Sequence, residues 1–152
     1  MEIAGIASTA NGLWMTRIGR TVTDAVDGIL QDKRYLIHNR DPLYTTEFLS
    51  LLTAAGIEPV KPPPRSPNLK THAERFVRSI KESCLDRLIL FGETSLRTVI
   101  QTFVMHYHSD RPHQGLQNRL ICPKPDHLGN TGVVQQQQRL GGLLNYYYRA
   151  AA

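Results

Sequence analysis

A chain of 152 residues with 41% hydrophobic and 20% charged content is long enough for one domain, or part of a larger one, with a buried core. No apolar run approaches the ~18 residues a membrane span needs, and the start Met1-Glu2-Ile3-Ala4-Gly5 lacks the basic patch and apolar stretch of a secretory signal. The expected location is cytoplasmic, and two cysteines, Cys84 and Cys122, are too few and too far apart for a zinc spacing or a disulfide framework.

The net charge of +5 is unevenly placed. Between Lys61 and Arg87 stand seven basic residues (Lys61, Arg65, Lys70, Arg75, Arg78, Lys81, Arg87) against Glu74, Glu82 and Asp86, a local excess of +4. A polyanion such as nucleic acid would meet this region first. The plain alternative is a solvated basic helix face.

In chain order, Glu2 to Ser8 reads as a short apolar strand. A strand so near the start needs a neighbour, which points to sequence upstream. Asn11-Gly12 marks a turn. Met15, Ile18, Val22, Val26, Ile29 and Leu30 then recur at helical spacing over about four turns. Tyr35-Leu36-Ile37 reads as a buried strand, Phe48, Leu51, Leu52 and Ala55 as an amphipathic helix capped by Gly56, and Ile57 to Val60 as another strand. Pro59, Pro62, Pro63, Pro64 and Pro67 exclude a regular element between Lys61 and Ser66.

A long helix follows, with Phe76, Val77, Ile80, Cys84 and Leu88 on one face, broken at Phe91-Gly92-Glu93. Leu96, Val99, Ile100, Phe103, Val104 and Tyr107 keep the helical rule to Asp110-Arg111-Pro112-His113. Beyond Leu116 the pattern weakens. Gln135 to Gln138 is a polar run, and Arg139 to Tyr148 has the pattern of a small hairpin turning at Gly141-Gly142. Alternating strands and helices predict an α/β sheet covered by helices, followed by a mostly helical half.

Two places have the makings of a site. Thr71-His72-Ala73-Glu74 fits a capping box, in which Thr71 and Glu74 satisfy free backbone donors. At about 100° per residue, Arg78 and Lys81 also share an edge with Glu74, with the apolar stripe about a quarter turn away. That edge offers an acid for a divalent metal and two cations for a phosphate backbone. The second place is His38-Asn39-Arg40-Asp41, polar residues at a strand end, where α/β sheets tend to put their sites. The plain reading there is a turn in which Asn39 or Asp41 bonds the local backbone before Pro42. Asn39 is a poor ligand for Mg²⁺ because it brings no charge. His106 and His108 stand two apart and face different ways, unlike the pair of a zinc helix.

Taken together, Leu36-Ile37-His38-Asn39-Arg40-Asp41-Pro42-Leu43-Tyr44, Ser66-Pro67-Asn68, Ala73-Glu74-Arg75-Phe76, Lys81 and Tyr107-His108…Arg111-Pro112-His113-Gln114-Gly115-Leu116 resemble the DDE integrase and insertion-sequence transposase catalytic core. The resemblance runs from about Glu2 to Leu116. It implies an RNase H-like α/β fold, here truncated, two Mg²⁺ or Mn²⁺ ions, and cutting and joining of DNA at transposon ends. It places Glu74 at the final catalytic glutamate and metal ligand, and Lys81 at a DNA-contacting lysine; Arg78, Arg75, Lys70 and Arg65 are further candidate DNA contacts by their charge and position. Asn39 falls at the second catalytic acid, with Asp41 as a weaker neighbour. The 34 residues between Asn39 and Glu74 are close to the family's usual interval.

Two departures shape the expectation. The second acid is an amide, and the first, which the family carries on the opening strand of its sheet, has no counterpart in the chain. Lys70 and His72 also stand where the family more often has Asn and Tyr. One carboxylate and a carbonyl do not hold two divalent ions against water. The expected protein is a partial integrase core over 1–116 with a tail over 117–152. It acts on DNA with impaired catalysis, metal weakly held or absent, in company with itself or full-length transposase subunits. The alternatives are a non-catalytic nucleic-acid-binding or subunit-interaction module derived from that core, and an unrelated basic helical module with no metal chemistry.

Overall fold

Asn11 starts the first helix by turning its side chain back on the backbone, its Oδ1 accepting the Trp14 N–H at 2.9 Å, as an N-cap does. The computed structural model describes residues 3–63, 71–125 and 131–149. The elements in order are α1 (Gly12–Val22), β1 (Tyr35–Ile37), α2 (Thr46–Ala54), β2 (Glu58–Val60), α3 (Thr71–Ser83), α4 (Gly92–Ser109), β3 (Val134–Arg139) and β4 (Leu144–Arg149). Short 3-10 turns lie at Leu85–Arg87 and Gln114–Leu116. The architecture is mixed α/β, with four helices and short strands among the described residues. Two compact units divide it, the first ending at Thr71 and the second beginning at His72. The expected proline-rich loop falls largely on residues 64–70, outside the described residues.

In the first unit, Met15, Phe48, Leu52 and Ile57 form the core. α1 stops at Val22, two turns before the apolar spacing predicts. Asp24 accounts for the stop, since its Oδ1 accepts the N–H groups of Val26 at 2.8 Å and Asp27 at 3.4 Å and closes a turn. Val26 is left 86% exposed. Leu30 still packs on the core, because the chain folds back and its N–H reaches the Val22 carbonyl at 2.9 Å.

The expected opening strand is absent: residues 3–8 carry no strand. They lie against α1 instead, so close that a Cβ on Gly5 would stand 2.5 Å from Ile18 Cδ1 and 3.1 Å from Trp14 Cζ2. β1 and β2 pair in parallel, Tyr35 with Glu58 and Ile37 with Val60. The expectation of a buried β1 is also corrected. Only Leu36 is half-buried, while Tyr35 and Ile37 are 49% and 47% exposed, because alternate side chains of a strand leave by opposite faces. Gly56, at φ +78°, lets α2 turn directly into β2.

In the second unit, Phe76, Ile80, Cys84, Val99, Phe103, Tyr107 and Leu144 make the core. Phe76 meets Tyr107 edge to face, with centroids 4.9 Å apart at 88°, the arrangement aromatic quadrupoles favour. α3 ends at Ser83, earlier than the single long helix expected. β3 and β4 form an antiparallel hairpin turning at Gly141 and Gly142, both at positive φ. The turn falls where the sequence places it. The first strand, however, is the glutamine run, with Gln135, Gln136 and Gln137 opposite Tyr148, Tyr147 and Tyr146.

Candidate nucleic-acid interface

Glu74 lies in the first turn of α3. The helix buries Phe76, Ser79 and Ile80, while Glu74, Arg75, Arg78 and Lys81 are exposed. Val77 is 49% exposed and Ser79 only 8%, so the core face is rotated from the one the apolar residues predict. Glu74, Arg78 and Lys81 fall within an arc of about 60° that looks about half a turn away from the core, rather than a quarter turn. None of the ion pairs among the described residues involves Glu74, Arg75, Arg78 or Lys81. The result is an open edge with one acid and two cations directed at solvent, and Arg75 and the acid Glu82 are exposed beside it. Arg65 and Lys70, also expected to contact DNA, lie outside the described residues.

The polar cluster after β1 belongs to the first unit. His38 is only 2% exposed. Its Nδ1 lies 2.8 Å from the Asn39 carbonyl, and its ring sits 4.7 Å from Tyr44, which in turn meets Phe48. Asp41 is exposed, and its Oδ1 accepts the Leu43 N–H at 2.9 Å, the local turn that an aspartate before proline favours. Asn39 and Asp41 stand at the polar rim of a cavity of about 380 Å³ whose walls, among them Trp14, Leu36 and Leu43, are apolar. Burial pushes the Tyr44 phenol up, and the Asp41 charge adds to the effect. Asn39 and Asp41 thus lie in one unit and Glu74 in the other.

Of the motif at the end of α4, Tyr107 is built into the core of the second unit, while Pro112 and Gln114 to Leu116 are exposed. Tyr107 is 7% exposed and meets His113 edge-on with ring centroids 4.6 Å apart, and the His113 Nε2 lies 2.8 Å from the Tyr107 carbonyl. Arg111 covers the same ring at 5.5 Å. Sequence reasoning missed Asp110, which is 1% exposed and bonds Arg139 of β3 at 2.6 Å. An aspartate just after a helix reads as an ordinary surface residue, and only its distant partner shows otherwise.

A metal pair is what an integrase core would place at the acids. Among the described residues, no group of three or more His, Cys, Asp or Glu is arranged to hold an ion. The donors themselves fit poorly: Asn39 is neutral, Asp41 is bonded to its own turn, and Glu74 stands on a helix edge beside two cations. Divalent magnesium or manganese asks for several oxygen donors with carboxylate charge among them.

A parallel strand pair in the first unit and an acid-bearing basic helix in the second make this a mixed α/β protein. Residues 55–120 match the family model of the integrase core domain. That segment contains Glu74, Arg75, Arg78 and Lys81 and ends past the Arg111-Pro112-His113 turn; Asn39 and Asp41 precede it. No curated protein and no solved structure matches the chain. No helix among the described residues is long and apolar enough to cross a membrane.

Proposed function

We propose that the chain is an integrase-core-derived DNA integration or transposition protein that holds DNA ends through α3 and is catalytically impaired. The observation that carries this reading is the exposure of Arg75, Arg78 and Lys81 on α3, set within the segment matched to an integrase core. Phosphate contacts need cations that are solvent-facing and not already neutralised by ion pairs. On this reading residues 1–116 correspond to part of an RNase H-like core and 117–152 to a tail, with Glu74 at the position of the last catalytic acid and Asn39 at that of the second. One carboxylate without acidic partners does not organise a two-metal site. Glu74 then serves the start of α3, where a negative charge complements the helix dipole.

A second reading, a subunit-interaction module, has one observation in its favour. Among the described residues β1 pairs only with β2, so its other edge offers backbone groups to a further strand.

The test uses the purified chain with supercoiled plasmid and labelled duplex ends, in magnesium or manganese. The expected result is salt-sensitive binding with no nicking and no strand transfer. Manganese-dependent nicking that disappears in Glu74→Ala would overturn the impaired reading. Absence of any DNA binding would overturn the proposal as a whole.

A further inference from the structure

We infer that the outward face of the β3–β4 hairpin reads base edges in the major groove of duplex DNA. This inference deepens the DNA-binding reading above and rests on it. It assigns sequence discrimination to the hairpin and leaves sequence-independent phosphate contact to α3.

The hairpin is held at its turn end. Leu144 is 5% exposed within the core of the second unit, and Arg139 is bonded to buried Asp110. Alternation along each strand then sends Val134, Gln136 and Gln138 of β3, and Asn145, Tyr147 and Arg149 of β4, to the opposite face, where all six are exposed. These side chains are partly fixed in place. Gln136 Nε2 donates to Asn145 Oδ1 at 2.9 Å and to the Tyr147 hydroxyl at 3.0 Å, and Asn145 Nδ2 donates to the Gly142 carbonyl at 2.6 Å. The Gln136 Oε1, the Tyr147 O–H and the whole Gln138 amide remain available to a ligand. Gln136 and Asn145, held in position beside Gln138, suit recognition, because they have little side-chain freedom left to lose on binding.

The chemistry of that face favours DNA. The free Gln138 amide presents a donor and an acceptor side by side, matching the N6 and N7 edge of adenine, and the Gln136 Oε1 adds an acceptor beside it. Two strands about 4.8 Å apart and about 20 Å long fit a major groove about 12 Å wide, which admits a two-stranded ribbon. The deep, narrow major groove of duplex RNA does not admit one. Charge agrees: from Asp110 to the end stand Arg111, Arg119, Lys124, Arg139 and Arg149 against Asp110 and Asp126, and Arg149 lies on the outward face itself.

The experiment is selection of the intact chain against a pool of random-sequence DNA duplexes, with a single-stranded RNA pool in parallel. The wild type should enrich a short A·T-containing motif. Gln136→Ala/Gln138→Ala/Asn145→Ala should still bind the pool but lose about tenfold or more of its preference for the selected duplex over a scrambled one. Gln138→Ala alone, which removes no internal hydrogen bond, should lose part of that preference with an unchanged melting curve. Lys81→Ala should bind more weakly and select the same motif. Pool binding without enrichment, unchanged enrichment in the triple variant, or preference for the RNA pool would each overturn the inference and leave DNA binding through α3 standing. Failure of the wild type to bind DNA at all would overturn both.

Discussion

Arg139 donates its Nε–H to Asp110 Oδ2 across 2.6 Å, joining the first strand of the hairpin to the residue that caps α4. Asp110 is 1% exposed and sits at the C-terminal end of a helix, where the dipole disfavours an anion. Arg139, with Lys124 Nζ at 4.0 Å from Oδ1, supplies the compensating charge. His106 Nδ1 lies 3.6 Å from Asp110 Oδ2, too far for a hydrogen bond, and His106 Nδ1 and Asp110 Oδ1 have no hydrogen-bond partner.

Breaking this pair from one side should therefore be costly. Arg139→Ala leaves a buried carboxylate with weak compensation and should destabilise the second unit by about 3–5 kcal/mol. Asp110→Leu with Arg139→Met removes both charges and should recover much of that loss. Urea unfolding followed by circular dichroism measures both variants, and equal losses in the two would show that the charge pairing is not what matters.

His106 gives the same region a pH dependence. Burial holds its imidazole below the ordinary 6.5, Arg139 and Arg111 push the same way, and Asp110 opposes them. The unfolded chain thus takes up the proton at a higher pH than the folded one. The resulting stability is fully present above about 6.5 and is lost as pH falls from there towards the lowered folded value. Thermal melting between about pH 7 and about pH 5 should show a decline, and His106→Gln should flatten it. An identical decline in that variant would assign the effect to another group.

Lys81 and Arg78 project from α3 with no ion-pair partner among the described residues. If each neutralises a phosphate, replacing either by Ala should weaken DNA binding similarly for all sequences. It should also reduce the slope of log affinity against log salt by about 0.9. Titration of a labelled duplex at several salt concentrations checks this, and an unchanged slope would remove these residues from the interface.

On the proposed integrase-core reading, giving position 39 an acid should not produce strand cleavage. Asn39→Asp adds a carboxylate at an exposed position beside Asp41, yet two carboxylates remain short of what a metal pair needs for phosphoryl transfer. Plasmid nicking by that variant in manganese should stay at background. Turnover in Asn39→Asp that is lost on adding Glu74→Ala would show that the two positions form a working site.

The amphipathic helices were legible because their energetics are local and periodic. Phe48 and Leu52 in α2, and Val99, Phe103 and Tyr107 in α4, are spaced as a buried helix face requires. Glu74 and its cations were legible for the same reason, since one helix carries them all. Errors arose where side chains competed with the periodicity. Asp24 ended α1 through backbone bonds despite apolar residues beyond it, and Val77 yielded its place in the core to Ser79. The strand at Gln135 to Gln138 gave no local signal, because four glutamines neither alternate nor favour strands.

By itself the sequence determined the amphipathic helices of the second unit, the glycine turn of the tail, and a basic helix with Glu74 in its first turn within the segment that matches the integrase core model. These follow from spacing, turn chemistry and residue identity over a few neighbours. Only the tertiary structure decided that the glutamine run pairs with three tyrosines and that Asp110 is buried and bonded to Arg139, 29 positions away. It also decided that the cation edge of α3 faces away from its own core. Each of these depends on what a side chain meets across the fold, and no local pattern encodes that.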